Sequence, residues 1–342
     1  MRAWCCKYKL NKILASVIFV LSTTVFAGVG TESMQFLKIK PSARAASLGD
    51  SFVSIANDVN AAFYNPAGLT QLDDLEISLM HMVYVADMGY EFGTVVFPAG
   101  EKLRIGAYVI FMNYGSIGRT TEDGSGMLVA STESYTPYDL SAAVSAGYQI
   151  SKSISAGVNV KIAYSDIDGN KLSGIMGDAG LLIKLSEETG LGAVLYNLGD
   201  SVNGSASPLI VRGGISTKFS LVEDGDFLAG LGVNYLTASS KISGSAGVEY
   251  NYQNMFFIRA GYGMASDTDG INIGAGLKQD LGGMTGTLDY NFSLLGDLGS
   301  AHRVSVGIKF GDDYSGKTKR KSSNTKSKPA KSGTRNYYKV VK

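Results

Sequence analysis

The sequence has few of the residue types on which metal sites, disulfides and covalent catalysis depend. Its 342 residues include two cysteines, Cys5 and Cys6, and two histidines, His81 and His302. Both cysteines precede an apolar segment typical of a cleaved leader, so the remaining chain is predicted to have no disulfide and no thiol chemistry. Neither histidine has a second histidine or a cysteine at metal-ligand spacing, so no zinc-type site is expected.

Enzyme motifs and complete metal-binding loops are also missing. The chain has no Gly-x-Ser-x-Gly, no Gly-x-Gly-x-x-Gly and no P-loop. Two aspartate-rich stretches, residues 166–170 and 267–270, look like fragments of calcium loops but lack the glutamate that closes such a loop. We interpret them as solvated turns, and we predict a non-enzymatic protein with no cofactor.

Long apolar runs are absent after the first 30 residues, so no transmembrane helix is predicted there. From Leu75 onward, apolar and polar residues alternate instead with a period of two, which is typical of strands. In Ile154–Tyr164, for example, Val158 belongs to the apolar face and Asn159 to the polar face. If the apolar face meets lipid, arginine is expected to cost about 2–4 kcal/mol at Val158 and much less at Asn159.

The length and polarity of these strands favour a membrane barrel over a soluble sandwich. Most strands have 9–12 residues, aromatic residues recur at their ends, and the second face is polar and rich in glycine. Because lipid cannot satisfy the edge of an open sheet, the sheet must close. The sequence therefore predicts an all-β fold, a transmembrane antiparallel β-barrel of about 14 strands with an N-terminal helical plug. The predicted strands are residues 75–85, 90–97, 102–114, 138–150, 154–166, 175–185, 191–198, 209–220, 227–236, 242–252, 256–264, 271–280, 284–294 and 302–310.

The connections between these strands alternate in length. Short turns such as residues 151–153 alternate with longer loops, which include residues 115–137 and 167–174. Bacterial barrels carry their short turns in the periplasm and their long loops outside the cell, so both ends of the barrel are predicted to be periplasmic.

Charge and composition divide the chain into four parts. Residues 1–27 have a basic start and an apolar run, as in a secretory signal peptide. The plug is predicted over residues 28–72, the barrel over residues 73–310 and a basic, disordered periplasmic tail over residues 311–342. Residues 28–316 carry 17 basic and 30 acidic residues, a net charge of −13, whereas residues 317–342 carry 10 basic residues and no acid. The tail is either simply solvated or in contact with an acidic partner or envelope polymer, and its periplasmic position argues against nucleic acid.

The predicted plug carries the most distinctive stretch of the chain, Phe36–Leu69. It opens on F-L-x-I-x-x-S-A-R, continues through A-x-D-V-N-A at residues 56–61, and ends on N-P-A-G-L at residues 65–69. This stretch resembles the N-terminal signature of the PorV/PorQ family of outer-membrane barrels, which are related to the FadL-type fatty-acid transporters. The resemblance implies a bacterial outer-membrane barrel surrounded by lipid.

The resemblance leaves two functions open. The first is a component of a protein-secretion apparatus of the type IX kind, with secretion proteins as partners. The second is a FadL-like channel for long-chain fatty acids or other hydrophobic small molecules, with such a molecule as its ligand. The closer match of the plug signature to PorV/PorQ favours the first.

Two sets of residues are candidates for the functional site. The first is the gate motif, where Pro66 fixes φ, Asn65 is biased to an extended conformation and can cap the turn, and Gly68 is free to adopt positive φ. The second set comprises apolar residues on the lumen-facing side, which either pack against the plug or line an apolar passage. The full sets are Asn65, Pro66, Ala67, Gly68 and Leu69 for the gate and Tyr108, Ile110, Met112 and Phe257 for the lumen.

Overall fold

The chain folds into a closed barrel. The computed structural model describes residues 32–199, 202, 204–264 and 270–311. In these residues, fourteen antiparallel strands form one barrel, each paired with its neighbours along the chain and the last paired with the first. This confirms the predicted fold class. The predicted signal peptide and residues 312–342 of the predicted tail lie outside the described residues.

The limits of the barrel strands agree closely with the predicted ones, apart from the strand predicted to start at residue 175, which starts at Asn170. Two further strands lie within the predicted loop of residues 115–137. No helix in the described residues is long and apolar enough to span a membrane. The strands are β1 (Glu76–Val83), β2 (Gly89–Pro98), β3 (Leu103–Asn113), β4 (Ile117–Glu122), β5 (Leu128–Tyr135), β6 (Tyr138–Gln149), β7 (Ile154–Ile167), β8 (Asn170–Lys184), β9 (Thr189–Gly199), β10 (Ile210–Val222), β11 (Gly225–Leu236), β12 (Lys241–Tyr252), β13 (Phe256–Met264), β14 (Ile271–Asp280), β15 (Met284–Leu294) and β16 (Ser300–Phe310).

The predicted long loop at residues 167–174 is wrong. Strands β7 and β8 stay paired up to Ile167 and Asn170, and only Asp168 and Gly169 connect them. These two residues have φ values of 54° and 80°, and two successive positive φ values suit a tight hairpin turn. The Gly169 amide donates to Asp166 Oδ1 over 3.0 Å. The aspartates and glycine of this stretch therefore make a turn, as their interpretation as a solvated turn expected.

The second predicted loop, residues 115–137, contains a separate hairpin. Strands β4 and β5 pair with each other and form a two-stranded sheet apart from the barrel. The hairpin tip exposes Met127 and Leu128, which are 66% and 76% exposed. Arg119 of β4 bonds to Asp168 of the β7–β8 turn. We call this end of the barrel the loop end, and the opposite end, where Gln149 turns back to Ile154, the short-turn end.

The two faces of the barrel wall differ as the alternation predicted. Val158, Val160 and Ile162 of β7 are more than half exposed on the outer face, whereas Asn159 and Lys161 are buried inside. Aromatic side chains form contacts on the outer face near both ends of the strands, as interfacial bands of a membrane barrel do. The contacts are Phe111–Tyr138 and Tyr138–Tyr164 near the loop end and Phe219–Phe227 and Phe227–Tyr250 near the short-turn end.

Candidate functional site

The signature residues of the plug mainly hold the plug together. Its two short α-helices are α1 (Ala43–Ser47) and α2 (Ala61–Tyr64). Ser42 caps α1 by accepting a hydrogen bond from the Ala45 amide over 3.3 Å. Before α2, Asp58 Oδ1 accepts from the backbone and side-chain nitrogens of Asn60, both at 2.9 Å. Because single helical turns are unstable alone, packing inside the barrel must hold both helices.

Inward-facing glycines line the wall where the plug backbone crosses it. A Cβ atom on Gly157 would lie 2.2 Å from the carbonyl carbon of Pro66, and one on Gly261 would lie 2.1 Å from the amide nitrogen of Gly49. No side chain fits at these distances, so plug and wall meet backbone to backbone. We call this set the glycine track; it consists of Gly147, Gly157, Gly180, Gly192, Gly214, Gly230, Gly247 and Gly261. Two of its members, Gly180 and Gly214, meet plug side chains rather than plug backbone.

The side chain of Asn65 forms hydrogen bonds both within the plug and to the barrel wall. It is fully buried, with the extended φ of −162° expected before a proline. Its Nδ2 donates to the carbonyl oxygens of Val53, at 2.8 Å, and Leu181 of β8, at 3.1 Å. Its Oδ1 accepts from the Ala67 amide over 3.1 Å and so caps the 3-10 helix that starts at Pro66, as the sequence led us to expect.

The reason expected for Gly68 is wrong. Gly68 is absent from the described glycines that have positive φ. Instead, a Cβ atom on Gly68 would lie 2.3 Å from the carbonyl oxygen of Ala56, so glycine is needed there for space. Ala67 and Leu69 on either side are fully buried. A Gly68→Val variant would therefore distort the plug whether or not the motif acts as a gate.

Removal of the Asn65 amide is a cleaner test of what holds the plug. We expect Asn65→Ala to lower the free energy of unfolding by about 1–3 kcal/mol, because it removes the buried hydrogen bond to the Val53 carbonyl and a second bond to the Leu181 carbonyl. Urea unfolding, followed by the gel mobility of unheated samples, measures the change. Asn113→Ala at the loop end, where the side chain serves only an exposed turn, is the matched control. Equal stabilities for the two variants would contradict the assigned contacts.

An ionic cluster links the plug to the wall on the β12–β15 side. Arg44 bonds to Asp58 over 2.7 Å within the plug, and both of its remaining nitrogens bond to Glu249 of β12 over 2.9 Å. Glu249 also pairs with Arg259, which reaches Asp289 over 2.6 Å. Burial alone would lower the pKa of Arg44, but the carboxylates of Glu249 and Asp58 outweigh it and raise that pKa above its ordinary value. Arg44 therefore stays charged in the plug.

A second set of charges holds the plug to more distant strands. Asp50 of the plug pairs with Arg212 of β10 over 2.5 Å and lies 3.8 Å from Lys40. Arg303 of β16 donates to the Lys40 carbonyl oxygen over 3.2 Å and to Asn291 over 2.8 Å. Together with the first cluster, these contacts make the interior polar along β10–β16.

Along β1–β3, by contrast, the interior is apolar. Three of the lumen candidates, Tyr108, Ile110 and Met112, are at most 3% exposed on β3. The ring of Tyr108 lies 5.7 Å from that of Phe63, so Tyr108 packs against the plug, and all three residues belong to one buried cluster with plug residues. The buried apolar residues of β1–β3 and of the plug form one continuous cluster that extends to the loop end, and we call this cluster the apolar column. Its members there include Met80, Met82, Tyr84, Met88, Tyr90, Phe92, Tyr114, Met176, Val202 and Leu295.

The fourth lumen candidate, Phe257, lies elsewhere. It borders a cavity of about 380 Å³ between the plug and the short-turn end. The guanidinium of Arg259 lies 5.2 Å from its ring centroid. The other side chains around this cavity are mostly charged or polar, and the charged ones include Arg44, Asp58, Glu249, Asp289 and Lys309. Phe257 therefore faces the lumen but is not part of the apolar column.

Both histidines lie on the outer face near the loop end. His81 bonds to Glu91 over 2.6 Å, and His302 bonds to the Tyr290 hydroxyl over 2.8 Å. In the described residues, no group of three or more His, Cys, Asp or Glu side chains is arranged to hold a metal ion. The calcium-like fragment at residues 267–270 lies largely outside the described residues.

The same barrel fold occurs in solved outer-membrane channels. The Pseudomonas putida toluene transporter TodX matches with a TM-score of 0.54 and 15% identity, over 84% of this chain and 99% of that chain. The monoaromatic hydrocarbon channel CymD matches at 0.53 and 13%, over 80% and 97%. A Pseudomonas aeruginosa FadL homologue matches at 0.50 and 11%, over 80% and 98%. At these identities, the likeness establishes the fold alone.

The sequence also matches the model of a protein family. The model of UPF0164, an uncharacterised protein family, matches residues 23–311. A search of curated proteins finds no match.

Proposed function

This chain belongs to the uncharacterised protein family UPF0164, and we propose that it is a bacterial outer-membrane channel for hydrophobic small molecules. One observation carries the proposal. The apolar column is continuous from Tyr84, Met88 and Leu295 at the loop end to Phe63 of the plug. A channel for water-soluble solutes would keep its whole interior polar, so a continuous apolar side along β1–β3 favours apolar cargo. The fold shared with hydrocarbon channels agrees with this.

The methionines of the apolar column suit a path that is filled by side chains when empty. Met80, Met82 and Met112 are fully or almost fully buried on β1 and β3. Unbranched, polarisable methionine side chains change rotamer easily and adapt to differently shaped apolar partners. We therefore propose that cargo enters by displacing these side chains rather than by filling a preformed cavity.

In this proposal the plug is the gate. It separates the apolar column from the charged cavity at the short-turn end, which in a bacterial barrel faces the periplasm. The plug meets β6–β8 at Asn65, Pro66, Ala67, Gly68 and Leu69, and we propose that a shift of this motif loosens the plug in the barrel. Cargo would then leave through the charged cavity into the periplasm.

Uptake by intact cells tests the proposal. We expect a bacterial host that lacks its own apolar-solute channel to take up labelled toluene or dodecanoic acid faster when it produces this protein. The variants Met82→Asp and Ile110→Asp put a charge into the apolar column and should reduce this gain. Equal uptake with and without the protein would overturn the proposal.

A role in protein secretion, to which the plug signature points by its resemblance to PorV/PorQ, is the second candidate. The β4–β5 hairpin favours it, because Met127, Leu128 and Val129 are exposed in a row at its tip. Exposed apolar residues in a row often mark a contact site for another protein. If this role is correct, changing the three to serine should release a co-purifying envelope protein and leave solute uptake unchanged.

A further inference from the structure

An apolar groove lies on the outer face of the barrel. It extends over the four neighbouring strands β10 to β13 and has a volume of about 720 Å³. Small side chains form its floor, and large apolar side chains that are 41–57% exposed stand at its rim. The floor includes Ala229, Ala246 and Ala260, and the rim includes Ile215, Leu231 and Tyr262.

The plug lies directly behind this groove. Gly230, Gly247 and Gly261 of the glycine track border the groove from the outside, and side chains added to them would meet the plug on the inside. At Gly247, for example, an added Cβ atom would lie 2.3 Å from the Leu48 carbonyl oxygen. A single layer of backbone therefore separates the groove from the plug at these three positions.

The groove offers an occupant few hydrogen-bonding groups. The backbones of β10, β11, β12 and β13 are paired with one another along the strands. The hydroxyl of Thr217, which also borders the groove, lies 3.0 Å from the Thr189 hydroxyl and is engaged with it. An occupant is therefore held by close van der Waals contact, which requires an apolar molecule that follows the shape of the groove.

The position of the groove favours a membrane lipid as this occupant. Two residues further toward the short-turn end, the same strands carry the aromatic contacts Phe219–Phe227 and Phe227–Tyr250. Bands of this kind lie at the level of the lipid head groups. The groove therefore extends from the head-group level of the periplasmic leaflet toward the middle of the bilayer, where acyl chains are the available apolar molecules.

A second copy of this chain fits the groove less well. A symmetric contact between two copies uses the same patch on both, so it would place groove against groove. Two concave surfaces leave a void between them, and atoms that line a void lose contacts. A flexible acyl chain fills an irregular depression without that loss.

We propose that the groove is a binding site for one phospholipid of the periplasmic leaflet, whose acyl chain lies against Ala229, Ala246 and Ala260. The bound chain supports the wall from the outside at the positions where the plug touches it from the inside. The site is separate from the path proposed for cargo, which lies inside the barrel along β1–β3.

Native mass spectrometry of protein released from its membrane in a mild detergent tests the proposal. We expect the unaltered protein to retain one phospholipid per chain. The variant Ala246→Leu/Ala260→Leu fills the floor and should lower the lipid-bound fraction about tenfold, because overpacking opposes binding. Ala275→Leu makes the same change at an exposed position of β14 outside the groove and should retain the lipid. An unaltered protein without lipid, or equal retention by the double variant, would overturn the proposal.

Cross-linking of the unaltered protein gives a second result that needs no variant. The protein is placed in nanodiscs of phosphatidylethanolamine that carries a photoreactive group on its acyl chain. We expect the labelled peptides to come mainly from β11, β12 and β13. Labels spread evenly around the barrel would overturn the proposal. Dimers of the unaltered protein that Ala246→Leu/Ala260→Leu converts to monomers would also overturn it, because a second copy would then be the occupant.

Discussion

Replacing Gly261 by valine is expected to prevent formation of the native, plugged barrel. The new Cβ atom would lie 2.1 Å from the Gly49 amide nitrogen and 2.4 Å from the Leu48 carbonyl carbon. These are backbone atoms of the plug, so no side-chain rotation relieves the overlap. Overpacking typically costs about 1–3 kcal/mol, and the cost is larger where, as here, backbone must move. Unheated samples on a gel would show less of the folded, fast-migrating form.

Gly213→Val is the matched control for this variant. Gly213 lies in β10 next to Gly214 of the glycine track, and a Cβ atom there would meet nothing closer than 4.0 Å. Because valine favours strands, Gly213→Val should fold as well as the unaltered protein. A folded Gly261→Val barrel whose plug has become sensitive to protease would still support the backbone contact. A Gly261→Val protein with normal stability and a protected plug would contradict it.

Leu288→Arg is expected to destabilise the barrel by about 2–4 kcal/mol if the outer face meets lipid. Leu288 is 47% exposed on the outer face near the middle of β15. The preceding residue, Thr287, borders the charged cavity at the short-turn end. Thr287→Arg places the same charge one residue away in a polar, open space and should cost much less. Urea unfolding of both variants in lipid vesicles gives the comparison, and equal costs would mean that the outer face does not lie in a membrane.

In the predicted comparison of Val158→Arg with Asn159→Arg, the structure supports the expectation for Val158 but not the low cost expected for Asn159. Val158 is 54% exposed on the outer face, so the expected cost of arginine there stands. Asn159, however, is 1% exposed, and its Nδ2 donates to Ala62 of the plug and to Asp178, both over 2.9 Å. An arginine at Asn159 would collide with the plug. The alternation in the sequence predicted the correct face for Asn159 but not the plug residues that pack against it.

In general, the sequence predicts which face of a strand a residue lies on, but not which residues it meets across the interior. The period of two follows from the pleat of each strand, so one sequence contains enough information to count the strands and orient them. The β7–β8 turn was also present in the sequence, as Asp168-Gly169 between two alternating runs, and was misread as part of a loop. The β4–β5 hairpin was harder to find, because every residue of β4 is exposed and its strand therefore has no buried face to produce alternation.

The candidate site residues named from the sequence lie inside the barrel, but the sequence did not show why those residues occur there. Gly68 was expected for its backbone freedom but is needed for space, and Phe257 was grouped with apolar residues but borders a charged cavity. Both depend on neighbours that are far away in the chain. The glycine track left a signal, since Gly157, Gly180 and Gly247 fall on the polar face of strands that are otherwise well patterned. The reason for glycine at these positions is seen only in the structure, where they contact the plug.

A reversible lock between plug and wall tests the central claim that hydrophobic molecules cross through the interior. The Thr70 hydroxyl of the plug lies 2.8 Å from the Ser155 hydroxyl of β7, so cysteines at both positions are close enough for a disulfide. The mature chain is predicted to have no other cysteine to interfere. Uptake of labelled dodecanoic acid by host cells that produce Thr70→Cys/Ser155→Cys would be measured before and after reduction with dithiothreitol. We expect low uptake with the disulfide formed and uptake restored to the level of the unaltered protein on reduction. High uptake with the plug locked, or none in either state, would contradict it.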